Sequence, residues 1–140
     1  MRTTKIYFIM QKLVINATPK SFDVICEQGH IEFKGCSVVS DPKVFFKPVR
    51  TWIDENMKNA PEETIVNLKI DYADSASIRN IYEILQSLGK LNEYKKSIKV
   101  NWYYDINDPE ILEIGEILAG RVKAPFHFIK SYSSDFKVFQ

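Results

Sequence analysis

Two stretches of strict alternation constrain this chain more than any other feature. Over Thr64 to Tyr72, Val66, Leu68, Ile70 and Tyr72 fall on one side and Asn67, Lys69 and Asp71 on the other. Over Ser97 to Tyr104, Ile98, Val100, Trp102 and Tyr104 alternate with Lys99, Asn101 and Tyr103. Period two is the signature of a strand with one buried face. Between them, Ser75 to Leu88 carries Ile78, Ile81, Tyr82, Leu85 and Leu88 at helical spacing, with Gly89 as its stop. Strand–helix–strand order implies parallel pairing through a right-handed crossover. A parallel sheet covered on both faces would read as continuous apolar runs. The alternation therefore predicts helices on one face only and an open, partly polar face opposite.

The flanking segments extend this pattern. Lys12 to Asn16 reads as a strand, and Phe22 to Glu27 and His30 to Gly35 as two more, joined by a tight turn at Gln28-Gly29. Cys36 to Pro42 reads as a loop. Lys43 to Lys58 has the spacing of a helix with Val44, Phe45, Val49, Trp52, Ile53 and Met57 inward, opened by Asp41-Pro42. Pro48 inside it predicts a kink or a split. Asp108-Pro109 opens a third helix from Glu110 to about Val122, and Pro125 to Lys130 is a last strand. The fold expected is α/β and two-layered: a mixed sheet with three helices mainly on one face, in the order βββαβαβαβ. Residues 12–130 form one domain. Residues 1–11 are an N-terminal extension, as a further strand, an arm or a start-site extension, and residues 131–140 a polar tail.

Composition narrows the function. The 140 residues carry 19 Lys+Arg against 18 Asp+Glu, a net charge of +1. A nucleic-acid binder normally shows a basic excess, so no nucleic-acid partner is expected. Ile6 to Met10 is too short an apolar run for a signal peptide or a membrane span, so the expected compartment is the cytoplasm, with no membrane partner. Two cysteines, Cys26 and Cys36, make no disulfide framework. The two histidines, His30 and His127, lack partners at metal-ligand spacing, and no phosphate-binding glycine loop or nucleophile elbow occurs. No enzyme activity, catalytic group, metal or cofactor is expected.

Three features remain. Asp105 to Asp108 and the row Glu110, Glu113, Glu116 are carboxylate clusters; the first could bind a cation weakly but lacks EF-hand spacing, and the second reads as a solvated helix face, with docking to a basic surface as its other reading. Trp102-Tyr103-Tyr104 reads as core plus one surface tyrosine. Asp71-Tyr72-Ala73-Asp74-Ser75-Ala76-Ser77-Ile78-Arg79 is a strand end, a turn and a helix start rich in small hydroxyls. Asp74 or Ser75 serves as N-cap. A phosphoserine there would rest on the positive end of the helix.

That segment joins four others: Lys12-Leu13-Val14-Ile15-Asn16-Ala17-Thr18, Phe45-Phe46-Lys47-Pro48-Val49-Arg50-Thr51-Trp52-Ile53, Val100-Asn101-Trp102-Tyr103-Tyr104-Asp105 and Pro125-Phe126-His127-Phe128-Ile129. In this order the chain resembles the SiaC family of bacterial regulatory phosphoproteins, from about Lys12 to Lys130. The resemblance implies a fold like that of anti-sigma-factor antagonists, the STAS type. It also implies a non-enzymatic, partner-switching role in cyclic-di-GMP signal transduction. A Ser/Thr protein kinase and a PP2C-type phosphatase would set the phosphorylation state, which controls binding to a partner such as a diguanylate cyclase. The family's phosphoacceptor maps onto Ser75, with Ser77 as the alternative. Asp71, Tyr72, Asp74, Ser75, Ala76, Ser77 and Arg79 would border the partner. The family usually has Asn-Thr-Ser-Ser where this chain has Asp74-Ser75-Ala76-Ser77, so Asp74 adds a carboxylate beside the incoming phosphate. The competing expectations are a constitutive interaction module without phosphorylation, and a small-molecule-binding domain using the open sheet face or the Trp102-Tyr104 region.

Overall fold

A computed structural model describes residues 4–9 and 11–132. Seven strands form one sheet in strictly sequential order: β1 (Ile6–Ile9), β2 (Lys12–Ile15), β3 (Asp23–Glu27), β4 (His30–Ser37), β5 (Glu63–Ala73), β6 (Ser97–Asp105) and β7 (Phe126–Ser131). The first four are antiparallel and β4 to β7 are parallel. The helices α1 (Pro42–Asn56), α2 (Ser75–Gly89) and α3 (Pro109–Ala119) each connect one parallel strand to the next. Sequential order explains the one-sided layer. Each crossover steps in the same direction, so a common right hand puts all three helices on the same face.

The inward positions form continuous rows across six strands. Leu13, Cys26, Ile31, Val66, Val100 and Phe126 lie side by side, as do Ile15, Val24, Phe33, Leu68, Trp102 and Phe128. Phe46 of α1 meets Phe22 and Phe33 in an edge-packed aromatic cluster, and α2 adds Ile81, Ile84, Leu85 and Leu88. On the open face Glu32, Asn67, Asn101 and His127 form the matching polar row. Asn101 Nδ2 donates to Asn67 Oδ1 at 3.0 Å, and Lys69 lies 3.5 Å from Glu32 and over the Tyr103 ring. The expected α/β architecture with helices on one face is what the chain adopts.

Several local expectations change. Residues 6–9 add an edge strand to the order expected, pairing with β2 from Ile6↔Ile15 to Ile9↔Lys12. The Trp52 indole fixes the intervening turn by donating to the Gln11 carbonyl at 2.6 Å. Strand β4 does not end at Gly35 but runs on to Ser37. Gly35 sits at φ +102, a conformation that favours glycine, and the register slips there: Gly35 faces Ile70 and Cys36 faces Tyr72. The extra residue on β5 reverses the alternation. Ala73, not Tyr72, therefore packs on the core, and Tyr72 is 57% exposed.

Helix α1 is not split at Pro48 but runs unbroken through it. The proline would remove the bond to the Val44 carbonyl, and Val44 is on the exposed side of the helix, where water can replace it. Helix α2 ends at Gly89, as expected, although not through a left-handed turn, since Gly89 has φ −60. The chain continues through a 3₁₀ turn, Lys90–Tyr94, and reverses at Lys95 with φ +60. Gly89 also admits the Lys123 carbonyl, which would lie 3.2 Å from a Cβ.

Two predictions follow from this packing. A Cβ at Gly115 of α3 would overlap the Trp102 indole, whose Nε1 donates to the Ile111 carbonyl at 3.0 Å. Overpacking of this kind costs about 1–3 kcal/mol, more than the ~1 kcal/mol that alanine gains over glycine in a helix. Gly115→Ala should lower the denaturant midpoint. Burial pushes the Cys26 thiol up to about 12 from 9.0. The unfolded chain loses this proton first, so its contribution to stability is full below about pH 9 and is lost as pH rises toward 12. Unfolding free energies across that window should fall more steeply for the wild type than for Cys26→Ala.

Candidate functional site

The sheet end where β4, β5 and β6 finish carries the starts of all three helices. Strand ends β4 and β5 lie adjacent, with Ser37 paired to Ala73. The Asp74 N–H donates to the Ser37 carbonyl at 3.0 Å, which turns the chain from β5 into α2. Asp74 is the N-cap, accepting from Ser77 N at 2.9 Å through Oδ1. Ser77 Oγ lies 2.7 Å from Ser37 Oγ and also donates to the Ser37 carbonyl at 3.2 Å. Ser77 and Ser37 are both 0% exposed. The first turn of α2 is thereby clasped to the end of β4.

This clasp divides the two serines. Ser77 is withdrawn from the surface expected of it, because its hydroxyl is a buried structural bond. Ser75 is exposed at the first position of α2, next to exposed Ala76 and one turn before exposed Arg79. Tyr72 is exposed nearby, while Asp71 and Asp74 are half-buried. Ser75, Ile78, Arg79 and Tyr82 line one wall of a cleft of about 320 Å³, and Ile117, Leu118 and Arg121 line the other. Ile78 is half-buried and packs on the core. Among the described residues neither Arg79 nor Arg121 is in a salt bridge, whereas Glu83 in the same cleft is held by Arg50 at 2.9 Å.

Other chemistry-bearing residues have structural roles. Asp105 Oδ1 accepts from Asn107 N at 2.7 Å, and Asp108 caps α3 through Ile111 N at 3.2 Å. Glu110, Glu113 and Glu116 lie exposed along α3. Trp102 is fully buried. No disulfide links Cys26 and Cys36. Among the described residues no group of His, Cys, Asp or Glu is arranged to hold a metal, and no helix is long and apolar enough to cross a membrane. Sequence reading missed Ser37, since Gly35 resembled a strand end, and Arg121, since nothing local ties it to α2.

The family model for SiaC family regulatory phosphoproteins matches residues 15–131. An uncharacterised protein of Pseudomonas aeruginosa is 20% identical over 100 residues, covering 71% of this chain and 79% of that protein. The crystal structure of apo-SiaC from P. aeruginosa superposes with a TM-score of 0.79 at 20% identity, covering 86% of this chain and 99% of that one. A structure of the diguanylate cyclase SiaD in complex with its activator SiaC, from the same organism, gives a TM-score of 0.79 at 18% identity, covering 84% and 98%.

The clasp predicts a contrast in stability. Ser77→Ala leaves the buried Ser37 hydroxyl without this partner and should cost about 1–3 kcal/mol. Ser75→Ala, at the surface, should stay within about 0.5 kcal/mol of wild type. Equilibrium urea unfolding of the two variants measures the difference.

Proposed function

The chain belongs to the SiaC family of regulatory phosphoproteins, and on that premise we propose that it is a non-enzymatic switch gated at Ser75. A Ser/Thr protein kinase adds the phosphate and a PP2C-type phosphatase removes it. The unphosphorylated form binds and regulates a partner, in this reading a diguanylate cyclase. The observation that carries the proposal is the exposure of the Ser75 hydroxyl at the first position of α2, where the neighbouring Ser77 is locked inside. The likeness to a SiaC structure solved with its cyclase supports the choice of partner.

Magnitudes support binding rather than folding as the quantity controlled. A phosphate adds about −1.5 to −2 charges. At a helix N-terminus this is worth roughly 0.3–1 kcal/mol, and the Asp74 carboxylate beside it offsets part of that gain. Arg79, one turn on, is within the range of an i,i+4 pair and offers a charge-assisted bond. Across a packed interface, like-charge juxtaposition costs several kcal/mol. The fold tolerates the modification, and the partner surface does not.

The test is phosphorylation with the cognate kinase and ATP, site mapping by mass spectrometry, and titration of both forms against the cyclase. Phosphate on Ser75, its removal by the phosphatase, and at least about tenfold weaker cyclase binding by the phosphorylated form are expected. Ser75→Ala should bind constitutively. Equal affinity of the two forms would leave Ser75 as a helix start in a constitutive module.

A further inference from the structure

The geometry points to self-association through β1: two copies of this chain pair their β1 strands antiparallel and join two seven-stranded sheets into one. The family match begins at residue 15, inside the described sheet but after β1, so this edge is a feature of this chain beyond the matched region. Among the described residues, strand β1 is the last in the sheet and pairs only with β2. Asn16 N donates to the Lys5 carbonyl at 3.0 Å, which makes Lys5 and Asn16 a hydrogen-bonded pair. Such pairs alternate along an antiparallel ladder, so Tyr7–Val14 and Ile9–Lys12 are the next ones. The N–H and C=O groups of Ile6 and Phe8 consequently point away from β2, toward the open edge.

That outward pattern is self-complementary. A two-fold axis through Tyr7 sets Ile6 of one copy opposite Phe8 of the other, and each pair exchanges two backbone hydrogen bonds. Natural edges are usually blunted by charge, proline or a bulge. The segment Ile6-Tyr7-Phe8-Ile9 contains no charge and no proline, and Ile6 and Tyr7 are 43% and 40% exposed. The opposite edge is protected: Pro125 precedes β7, which carries exposed His127 and Lys130. A four-residue ladder alone is small beside the ~1,200–2,000 Å² of a stable interface. Additional contact comes from a cleft of about 750 Å³ bordering β1, lined by Ile6, Val38, Val39, Val44 and Phe45 among others. The same two-fold axis brings the clefts of both copies to the seam.

Multi-angle light scattering over a wide concentration range, with amide hydrogen exchange, tests this. The expected result is a reversible dimer in which the Ile6 and Phe8 amides exchange as slowly as those of Tyr7 and Ile9. Ile6→Pro removes an outward donor without touching the ladder to β2 and should yield a monomer. Ile6→Lys should raise the dimer dissociation constant at least about tenfold. In both variants the Tyr7 and Ile9 amides should stay slow, which shows that β1 remains in place. A wild type that is monomeric throughout, a dimer with freely exchanging Ile6 and Phe8 amides, or a dimer retained in both variants would overturn the inference.

Discussion

The rows of inward apolar side chains crossing β2 to β7 hold this molecule together. Leu13, Cys26, Ile31, Val66, Val100 and Phe126 form one row, and all the residues from Leu13 to Val100 are fully buried. Apolar burial is roughly proportional to area removed from water. A sheet with one continuous apolar face must therefore find one continuous cover. Three helices provide it, and the sequential strand order leaves them no other face to occupy. The polar row of Glu32, Asn67, Asn101 and His127 is the counterpart. Its cross-strand contacts let it face water without a partner layer.

The Ser75 end inherits its precision from that arrangement. Because β4 and β5 are neighbours, the Ser37 carbonyl and hydroxyl reach the first turn of α2. Ser77 is used up in that contact, and Asp74 in capping. Ser75 is left as the hydroxyl that can be modified without breaking a structural bond. In the proposed function, a rigid helix start with an exposed hydroxyl would direct the energetic effect of a phosphate to a docked partner rather than to the fold.

The elements most legible in the sequence were those with a strong local period. The alternation in β5 as far as Ile70 and in β6, the stripe of α2 and the Gln28-Gly29 hairpin, which pairs Cys26 with Ile31, all appear as read. The errors came where one residue type has two uses. Gly35 allows a bulge in a continuing strand, and Pro48 tolerates a lost bond on a wet helix face. Gly35 looked like a strand end and Pro48 like a break in a helix because glycine and proline also interrupt regular structure.

Sequence by itself determined the one-sided α/β layering, the capped start of α2 and the family to which the chain belongs. Those depend on spacing within a segment, which period and capping chemistry write locally. Tertiary structure decided which serine faces water, that Tyr72 turns outward at the bulge, and that Arg121 shares a cleft with Ser75. It also decided that, among the described residues, β1 is an end strand of the sheet. These depend on contacts between residues some forty positions apart, such as Ser37 with Ser77. Strand order and register bring such residues together, and no local pattern encodes them.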